Sequence, residues 1–167
     1  MSSPYQIRPA GFHDVEAIFA LIKSFPDELV PRSLPDLVQN VDRFVVAESG
    51  GAVIGTAAWG ILPEIGKARQ PTVEIKSVAV RRDFQGQGVG RALVQKVIER
   101  VRLLKPAQIL VLTFRPEFFA KLGFVKVPKE TLMHKLYIGC LNCTKYDSPF
   151  TCPEVAMVLQ EAPPSTP

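Results

Sequence analysis

Three glycines at alternate positions, Gly86, Gly88 and Gly90, stand between a β-branched segment and a long amphipathic segment. The amides of a loop that enters a helix point outward, and the first turn of a helix carries partial positive charge. A backbone without side chains lets a phosphate group approach these amides closely. The glycines could equally serve only a tight turn. Their spacing matches neither the P-loop pattern nor the G-x-G-x-x-G dinucleotide pattern.

Glu74 is the one carboxylate in the apolar segment TVEIKSVAV, which precedes the glycines. A carboxylate shielded from water is a better base at neutral pH than an exposed one. Such a group could take a proton from an ammonium, so that the amine can attack an acyl group. A strand period of two places Glu74 and Lys76 on one face, so Glu74 could instead face water or pair with Lys76.

The elements that must position these residues follow from apolar spacing and from the placement of Gly and Pro. The predicted strands cover 5–10, 43–49, 52–62, 71–80, 108–114, 124–127 and 154–159, and the predicted helices cover 12–25, 31–41, 88–104 and 116–123. Hairpins and helices are mixed without strict βαβ alternation, which predicts an α+β fold. We expect one domain over 1–161 and a disordered tail over 162–167.

The length and net charge of the chain limit the classes of partner that the protein could bind. The chain of 167 residues suits one domain with a sizeable core, and its net charge of +4 permits an anionic ligand without requiring nucleic acid. The N-terminal segment has no signal-peptide pattern, and no apolar run is long enough to span a bilayer. We therefore expect a cytoplasmic protein with neither a nucleic acid nor a membrane as partner.

The stretch VAVRRDFQGQGVGRALVQKVI closely resembles motif A of the GNAT acetyltransferases, whose core is [QR]-x-x-G-x-[GA]. The resemblance implies the GNAT fold, a central mixed and mostly antiparallel sheet flanked by helices, with acetyl-CoA as co-substrate. It implies that the loop amides hold the pyrophosphate. The oxyanion that develops in acyl transfer needs hydrogen-bond donors, and backbone amides at the end of the preceding strand are the natural candidates. The cofactor-binding residues so predicted are Val78, Ala79, Val80, Gln85, Gly86, Gln87, Gly88, Val89, Gly90 and Arg91.

Residues 5–160 resemble more narrowly the short, kinase-less type of N-acetylglutamate synthase, through the segments LVPRSLPDLVQNV, VLTFRPEFFAKLGF and HKLYIGCLNCTKYDSPFTCPEVAM. This resemblance implies direct transfer of acetyl to the α-amine of glutamate in a ternary complex, the first step of arginine biosynthesis. It implies that Glu74 is the base and that Thr113 is a catalytic hydroxyl. Phe119 stands where many GNAT enzymes have a tyrosine, so a phenolic acid is absent.

The same resemblance implies that Arg32, Ser77 and Lys135 bind the acceptor substrate. Arginine offers a planar fork that matches a carboxylate. The longer enzymes of this type also have a basic residue on the third strand, and the segment AAWGILPEI has none. They have Arg and Ser before the last strand, where this chain has Cys152 and Glu154. Glutamate, aspartate, glutamine and other amines therefore stay open as acceptors, as does the choice between monomer and homodimer.

Four residues near the C-terminus, His134, Cys140, Cys143 and Cys152, form the pattern H-x5-C-x2-C-x8-C. Three thiolates and one imidazole could complete a tetrahedral zinc site. Apart from C-x2-C, the spacing matches no standard zinc finger, and small buried thiols are the alternative. We expect packed thiols, no metal, and no disulfide in a reducing compartment.

The sequence supports two functions of different class. The first is an N-acetyltransferase for an amino acid or another amine. The second is an acyl-CoA-binding regulatory module without turnover, which would keep the glycine loop and need no base. Release of free thiol from acetyl-CoA in the presence of amino acids distinguishes the two.

Overall fold

The computed structural model describes residues 4–64, 67–132 and 152–160. The strands are β1 (Gln6–Pro9), β2 (Phe44–Ser49), β3 (Ala52–Glu64), β4 (Lys67–Val80), β5 (Gln108–Thr113), β6 (Phe124–Lys126) and β7 (Val155–Leu159). The α-helices are α1 (Val15–Lys23), α2 (Leu34–Gln39), α3 (Val89–Arg102) and α4 (Pro116–Ala120). Short 3₁₀ turns cover Phe12–Asp14, Val41–Arg43, Arg82–Phe84 and Lys129–Leu132.

The strands form a mixed sheet in the order β1-β2-β3-β4-β5-β7-β6. β1 pairs antiparallel with β2, and β2 pairs antiparallel with β3 with an irregularity at Ala47/Glu48. β7 pairs antiparallel with both β5 and β6, which sets Thr113 opposite Val155. Helices accompany this sheet, so the α+β prediction is confirmed.

The chain divides into two compact units, residues 1–60 with 75–105 and residues 61–74 with 106–167. In the first unit α1 packs against α2, and α3 packs against β1 and β2. The α3 face that the apolar spacing predicts is buried, because Leu93, Val97 and Val101 are fully covered. Burial of each such side chain stabilises the fold by about 1.5–3 kcal/mol. This packing holds the N-terminus of α3, where the glycines lie, at one place on the sheet.

The second unit has a core of its own, formed by Leu62, Leu110, Leu132 and Ala156. Phe119 packs edge-to-face on both Phe118 and Phe124, with ring centroids 5.0 and 5.4 Å away. The aromatic residue in the position of the family's tyrosine therefore serves packing.

β3 and β4 are longer than the sequence predicts. β3 continues to Glu64 and β4 begins at Lys67, whereas the predicted strands end at residue 62 and begin at residue 71. β4 lies between β3 and β5 in the sheet, so it has a neighbouring strand on each side. The carbonyl of Pro71 accepts a hydrogen bond from the amide of Ala107 at 3.1 Å, so proline still takes part through its acceptor.

Candidate active site

The glycine loop has a backbone that only glycine adopts readily. Gly86 has φ 77° and Gly88 has φ 84°, both in the left-handed region. A Cβ built on Gly86 meets nothing within 4 Å, and one on Gly88 meets only the Tyr5 hydroxyl at 3.8 Å. Conformation therefore requires these glycines, and packing does not. The space above them is open to a ligand.

The first turn of α3 presents amides to that space. Gly88 is the N-cap and has no side-chain cap, and the first intrahelical hydrogen bond runs from the Ala92 amide to the Gly88 carbonyl at 3.0 Å. The amides of Val89, Gly90 and Arg91 precede this bond, so they lack an intrahelical acceptor. No acidic residue lies in the first turn to compete for them. Together with the helix dipole they make an anion site.

Two glutamine side chains brace the loop from within. Gln85 Nε2 donates to the carbonyl of Val80 at 3.0 Å, and Gln87 Nε2 donates to the carbonyl of Asp83 at 3.1 Å. Both bonds use carbonyls, which a phosphate cannot use, and so leave the amides to an anion. Gln85, the first residue of the motif core, thus acts on loop shape in the described structure.

Cations surround the loop. Arg81 forms a two-pronged pair with Asp83, and the guanidinium holds the pKa of the Asp83 carboxyl below its ordinary value. Arg82 lies over the ring of Phe25 with its Cζ 5.0 Å from the centroid, and Arg91 is exposed on the first turn of α3. The one acidic side chain of the 3₁₀ turn Arg82–Phe84 is therefore matched by Arg81.

The end of β4 leads into this loop. Ala79 is buried beside Leu21 and Phe25, and the Val78 and Val80 side chains are half-buried. Ser77 has φ 55°, which is strained for a residue with a side chain. The strand therefore changes its backbone course directly before the residues whose amides are candidates for the oxyanion site.

Arg32 reaches Ser77 from the segment before α2. Its Nη1 donates to Ser77 Oγ at 3.3 Å, its Nε donates to Asp36, and its Cζ lies 5.3 Å above the ring of Phe44. The Arg32 side chain is only 10% exposed. The structure thus brings two predicted substrate residues together and shows Arg32 as a nearly buried, oriented cation.

Lys76 was predicted only as a neighbour of Glu74, but it also covers β3. A Cβ on Gly60 would lie 2.9 Å from Lys76 Nζ and 3.1 Å from its Cε. The missing side chain at Gly60 makes room for the lysine, so an ammonium lies over the strand that has no basic residue of its own.

Glu74 lies in the second unit, within a stretch of β4 that is buried on both faces. Its exposed fraction is 6%, and its neighbours Val73 and Ile75 are almost fully covered. This excludes the alternative in which Glu74 faces water. Burial does not test the other alternative, in which Glu74 pairs with Lys76.

Thr113 lies at the end of β5 and is also buried. Its Oγ1 accepts a hydrogen bond from the Arg115 amide at 2.9 Å. A hydroxyl that accepts one hydrogen bond keeps its own proton to donate. This is the hydrogen bond to backbone that a threonine at a strand end commonly makes. It is compatible with a catalytic role for the hydroxyl.

For most of the remaining predicted residues the structure gives no position. His134, Lys135, Cys140 and Cys143 lie outside the described residues. Cys152 is half-buried, its Sγ lies 3.6 Å from Glu154 Oε2, and burial raises the pKa of its thiol. In residues 4–64, 67–132 and 152–160, no three His, Cys, Asp or Glu side chains are grouped to hold a metal ion.

Among the helices of these ranges, none has both the length and the apolar character that crossing a membrane requires.

Two further residues were missed by sequence reasoning. Asp36 is four residues after Arg32, a spacing that places the two on one side of a helical turn and was available as a signal. Asn40 holds Asp36 through the side-chain bond between Nδ2 and Oδ1 at 2.9 Å. Its importance follows only from the contact, because asparagine after a short helix is common as a simple terminator.

Known proteins are similar to this chain in sequence and in fold. The model of the acetyltransferase (GNAT) family matches residues 12–124. An uncharacterized N-acetyltransferase of Chlorobaculum tepidum is 30% identical over 91% of this chain and 94% of its own length. An amino-acid acetyltransferase of Mycobacterium tuberculosis is 34% identical over 84% of this chain and 79% of its own.

Solved structures of other proteins are similar in fold to this chain. A protein of Mycobacterium tuberculosis, in complex with CoA and NLQ, superposes with a TM-score of 0.76 at 26% identity over 94% of this chain and 99% of its own. The N-acetylglutamate synthase of Neisseria gonorrhoeae, complexed with coenzyme A and N-acetyl-glutamate, has a TM-score of 0.75 at 23% identity over 95% of this chain and 35% of its own. The second likeness shows the fold alone. With the fold and the family match together, the chain belongs to the acetyltransferase (GNAT) family of enzymes.

Proposed function

We propose that this enzyme transfers an acetyl group from acetyl-CoA to the α-amine of a free amino acid, with L-glutamate preferred. The left-handed glycine loop and the open first turn of α3 support a pyrophosphate site. The observation that carries the acceptor is Arg32, a nearly buried guanidinium in a chain 34% identical to an amino-acid acetyltransferase. The acetylated product would enter arginine biosynthesis.

The cofactor half of the proposal is built from backbone. The amides of Gly86 to Arg91 would receive the pyrophosphate, with Gln85 and Gln87 keeping the loop in shape. Arg82 and Arg91 add positive charge nearby. A backbone site of this kind is already formed before the ligand arrives, so little ordering opposes binding.

The acceptor half needs a cation for each carboxylate. Arg32 would bind one carboxylate through its planar edge. Lys76, whose ammonium lies over Gly60, would attract the second carboxylate of a dicarboxylic amino acid. Lys76 would then distinguish glutamate from glutamine. This assignment gives the third strand the positive charge that its own sequence lacks.

The chemical step would use the other predicted residues of β4 and β5. Glu74, directly or through one water, would take a proton from the ammonium, and the free amine would attack the thioester carbon. The new C–N bond forms, and amides of Val78 to Val80 stabilise the oxyanion. As the C–S bond breaks, the nitrogen releases its second proton to the leaving thiolate or to solvent. Thr113 would donate a hydrogen bond to the leaving sulfur. Because a thiol has a pKa of about 8.5, the thiolate can also leave without an acid.

The experiment is release of free thiol from acetyl-CoA with glutamate, aspartate, glutamine and a simple monoamine, beside calorimetry of acetyl-CoA. We expect turnover with glutamate first. Lys76→Met should lower the preference for glutamate over glutamine, whereas Lys96→Met, which removes an exposed lysine of α3 paired with Glu99, should not. Binding of acetyl-CoA without turnover of any amine would favour a regulatory acyl-CoA-binding module instead.

A further inference from the structure

The Arg32 guanidinium is oriented from three directions. Its Nε donates to the Asp36 carboxylate one helical turn later, its Nη1 donates to Ser77 Oγ at 3.3 Å, and its Cζ lies 5.3 Å from the centroid of the Phe44 ring. Ser77 and Phe44 are uncharged, so Asp36 is the charged group among these three partners.

The Asp36 carboxylate is itself held. Asn40 Nδ2 donates to Asp36 Oδ1 at 2.9 Å and also to the Asp36 carbonyl at 2.9 Å. The Asp36 amide donates to Ser33 Oγ at 3.3 Å. One carboxylate oxygen therefore faces Asn40 and the other faces Arg32, so the direction of the carboxylate is determined.

These contacts leave a defined edge of Arg32. A guanidinium has five N–H donors, and in the described part of the chain Arg32 uses Nε and one Nη1 donor. The edge formed by Nη1 and Nη2 is a different edge from the one on which Nε donates to Asp36, and each of these two nitrogens has one N–H on it. Two parallel N–H groups on one edge match the two oxygens of a carboxylate.

We propose that Asp36 is a positioning residue for the acceptor substrate, which fixes Arg32 so that its Nη1–Nη2 edge receives the substrate carboxylate. This inference rests on the proposed function. It also assigns a basis for selectivity. Asp36 offsets the charge of Arg32, so recognition depends on the direction of the N–H groups more than on a net positive field.

The substitution Asp36→Asn should change glutamate kinetics in opposite directions if Asp36 positions Arg32 and if Asp36 acts only through its negative charge. Arg32 Nε and Asn40 Nδ2 donate to different oxygens of Asp36, and asparagine replaces one of these oxygens by an NH2 group, so one of the two donors would face another donor. Reversing the Asn40 amide would lose the bond to the Asp36 carbonyl. On the positioning account, kcat/KM for glutamate falls about tenfold, mainly through KM. On a charge account, removing a negative group would raise affinity for an anionic substrate.

The controls separate position from charge and from folding. Asp42→Asn makes the same charge change at an exposed site, and we expect unaltered kinetics. Acetyl-CoA affinity, measured by calorimetry, should stay at the parent value in both variants. If Asp36→Asn does not retain that affinity, Asn40→Ala replaces it, since this variant keeps the carboxylate and removes its clamp, with a KM increase of about threefold.

A double variant tests whether Asp36 acts through Arg32. In an Arg32→Lys background, Asp36→Asn should have little further effect, because the group that it positions is gone. A full additional loss in the double variant, or unchanged or tighter glutamate kinetics in the single variant, would overturn the inference. Either result leaves the acetyltransferase proposal standing if the parent protein turns over glutamate. Absence of turnover in the parent defeats the proposed function first.

Discussion

Arg32 Nη1 donates a hydrogen bond to Ser77 Oγ at 3.3 Å, across 45 residues of sequence. Ser77 is the residue of β4 whose backbone takes a left-handed φ of 55°. The contact joins the segment before α2 to the strand directly upstream of the oxyanion candidates. A strained serine and a nearly buried arginine at one point indicate a place where function constrains the backbone.

The first prediction concerns Arg32→Lys. An ammonium has no planar fork and cannot contact Asp36, Ser77 and a carboxylate with the same geometry. We expect kcat/KM for glutamate to fall about tenfold or more, which corresponds to about 1.4 kcal/mol. Acetyl-CoA affinity should not change. Steady-state kinetics with glutamate and a monoamine provide the measurement, and equal losses for both acceptors would contradict carboxylate recognition.

The second prediction uses two matched glycines. Gly86 and Gly51 have φ of 77° and 78°, and a Cβ on either meets nothing within 4 Å. Gly86→Ala and Gly51→Ala should therefore lose the same stability, about 1 kcal/mol for a left-handed residue with a side chain. Only Gly86→Ala should weaken acetyl-CoA binding, by about tenfold, because Gly51 lies in the turn between β2 and β3.

Thermal unfolding and calorimetry with acetyl-CoA measure the two effects separately. Equal acetyl-CoA affinity in both alanine variants would reduce the loop to a structural turn. Weakened binding in Gly51→Ala as well would indicate a general loss of folded protein.

The third prediction concerns Glu74→Gln. If Glu74 removes the proton from the ammonium, kcat should fall by about 10²–10⁴-fold near neutral pH. The variant's rate should then rise with pH, because an increasing fraction of the amine is already deprotonated in solution. Rates from about pH 6 to 10 check this. A variant whose profile runs parallel to that of the parent would assign Glu74 a packing role.

The fourth prediction concerns the buried pair of Arg8 and Asp14. Both Arg8 Nη groups bind the Asp14 carboxylate, at 2.7 and 2.9 Å, and this hydrogen bonding lowers the pKa of Asp14 in the folded chain. A lowered pKa gives stability above the unfolded value near 4, and that stability is lost as pH falls through the folded value. Asp14→Asn should therefore cost about 2 kcal/mol near pH 7, and the cost should be smaller near pH 3, below the unfolded value.

Denaturant unfolding of parent and variant at both pH values tests this sign. Asp83→Asn is the matched control, since it breaks the exposed Arg81–Asp83 pair and should leave stability unchanged. A cost for Asp14→Asn that is equal at both pH values would mean that packing, and not ionisation, explains the effect.

The fifth prediction concerns metal. Protein purified without added metal should contain less than about a tenth of an equivalent of zinc, and a chelator should leave its unfolding temperature unchanged. The half-buried Cys152 thiol, whose pKa is raised, should react slowly with alkylating reagents near neutral pH. One equivalent of zinc with a chelator-sensitive fold would establish the metal site that we do not expect.

The cofactor loop and most elements were predictable from sequence because the forces that form them are local. Left-handed conformations at Gly86 and Gly88 need no partner beyond the backbone, and the buried stripe of α3 follows from the helical period. The boundaries of β3 and β4 were wrong because pairing between strands extended them past Pro63 and Pro71, and proline can still accept a hydrogen bond at its carbonyl.

The sequence by itself determined that a glycine-rich backbone, to which we assign phosphate binding, would stand between a strand and a helix, and it indicated Glu74 and Arg32 as candidates. Only the tertiary structure decided that Arg32 meets Ser77 and Phe44 and that the Lys76 ammonium lies over Gly60. The period of a strand or helix predicts which face a residue occupies, but it does not predict which distant segment covers that face. The burial of the core decides that, because it brings together residues 45 positions apart and leaves their polar groups to satisfy one another.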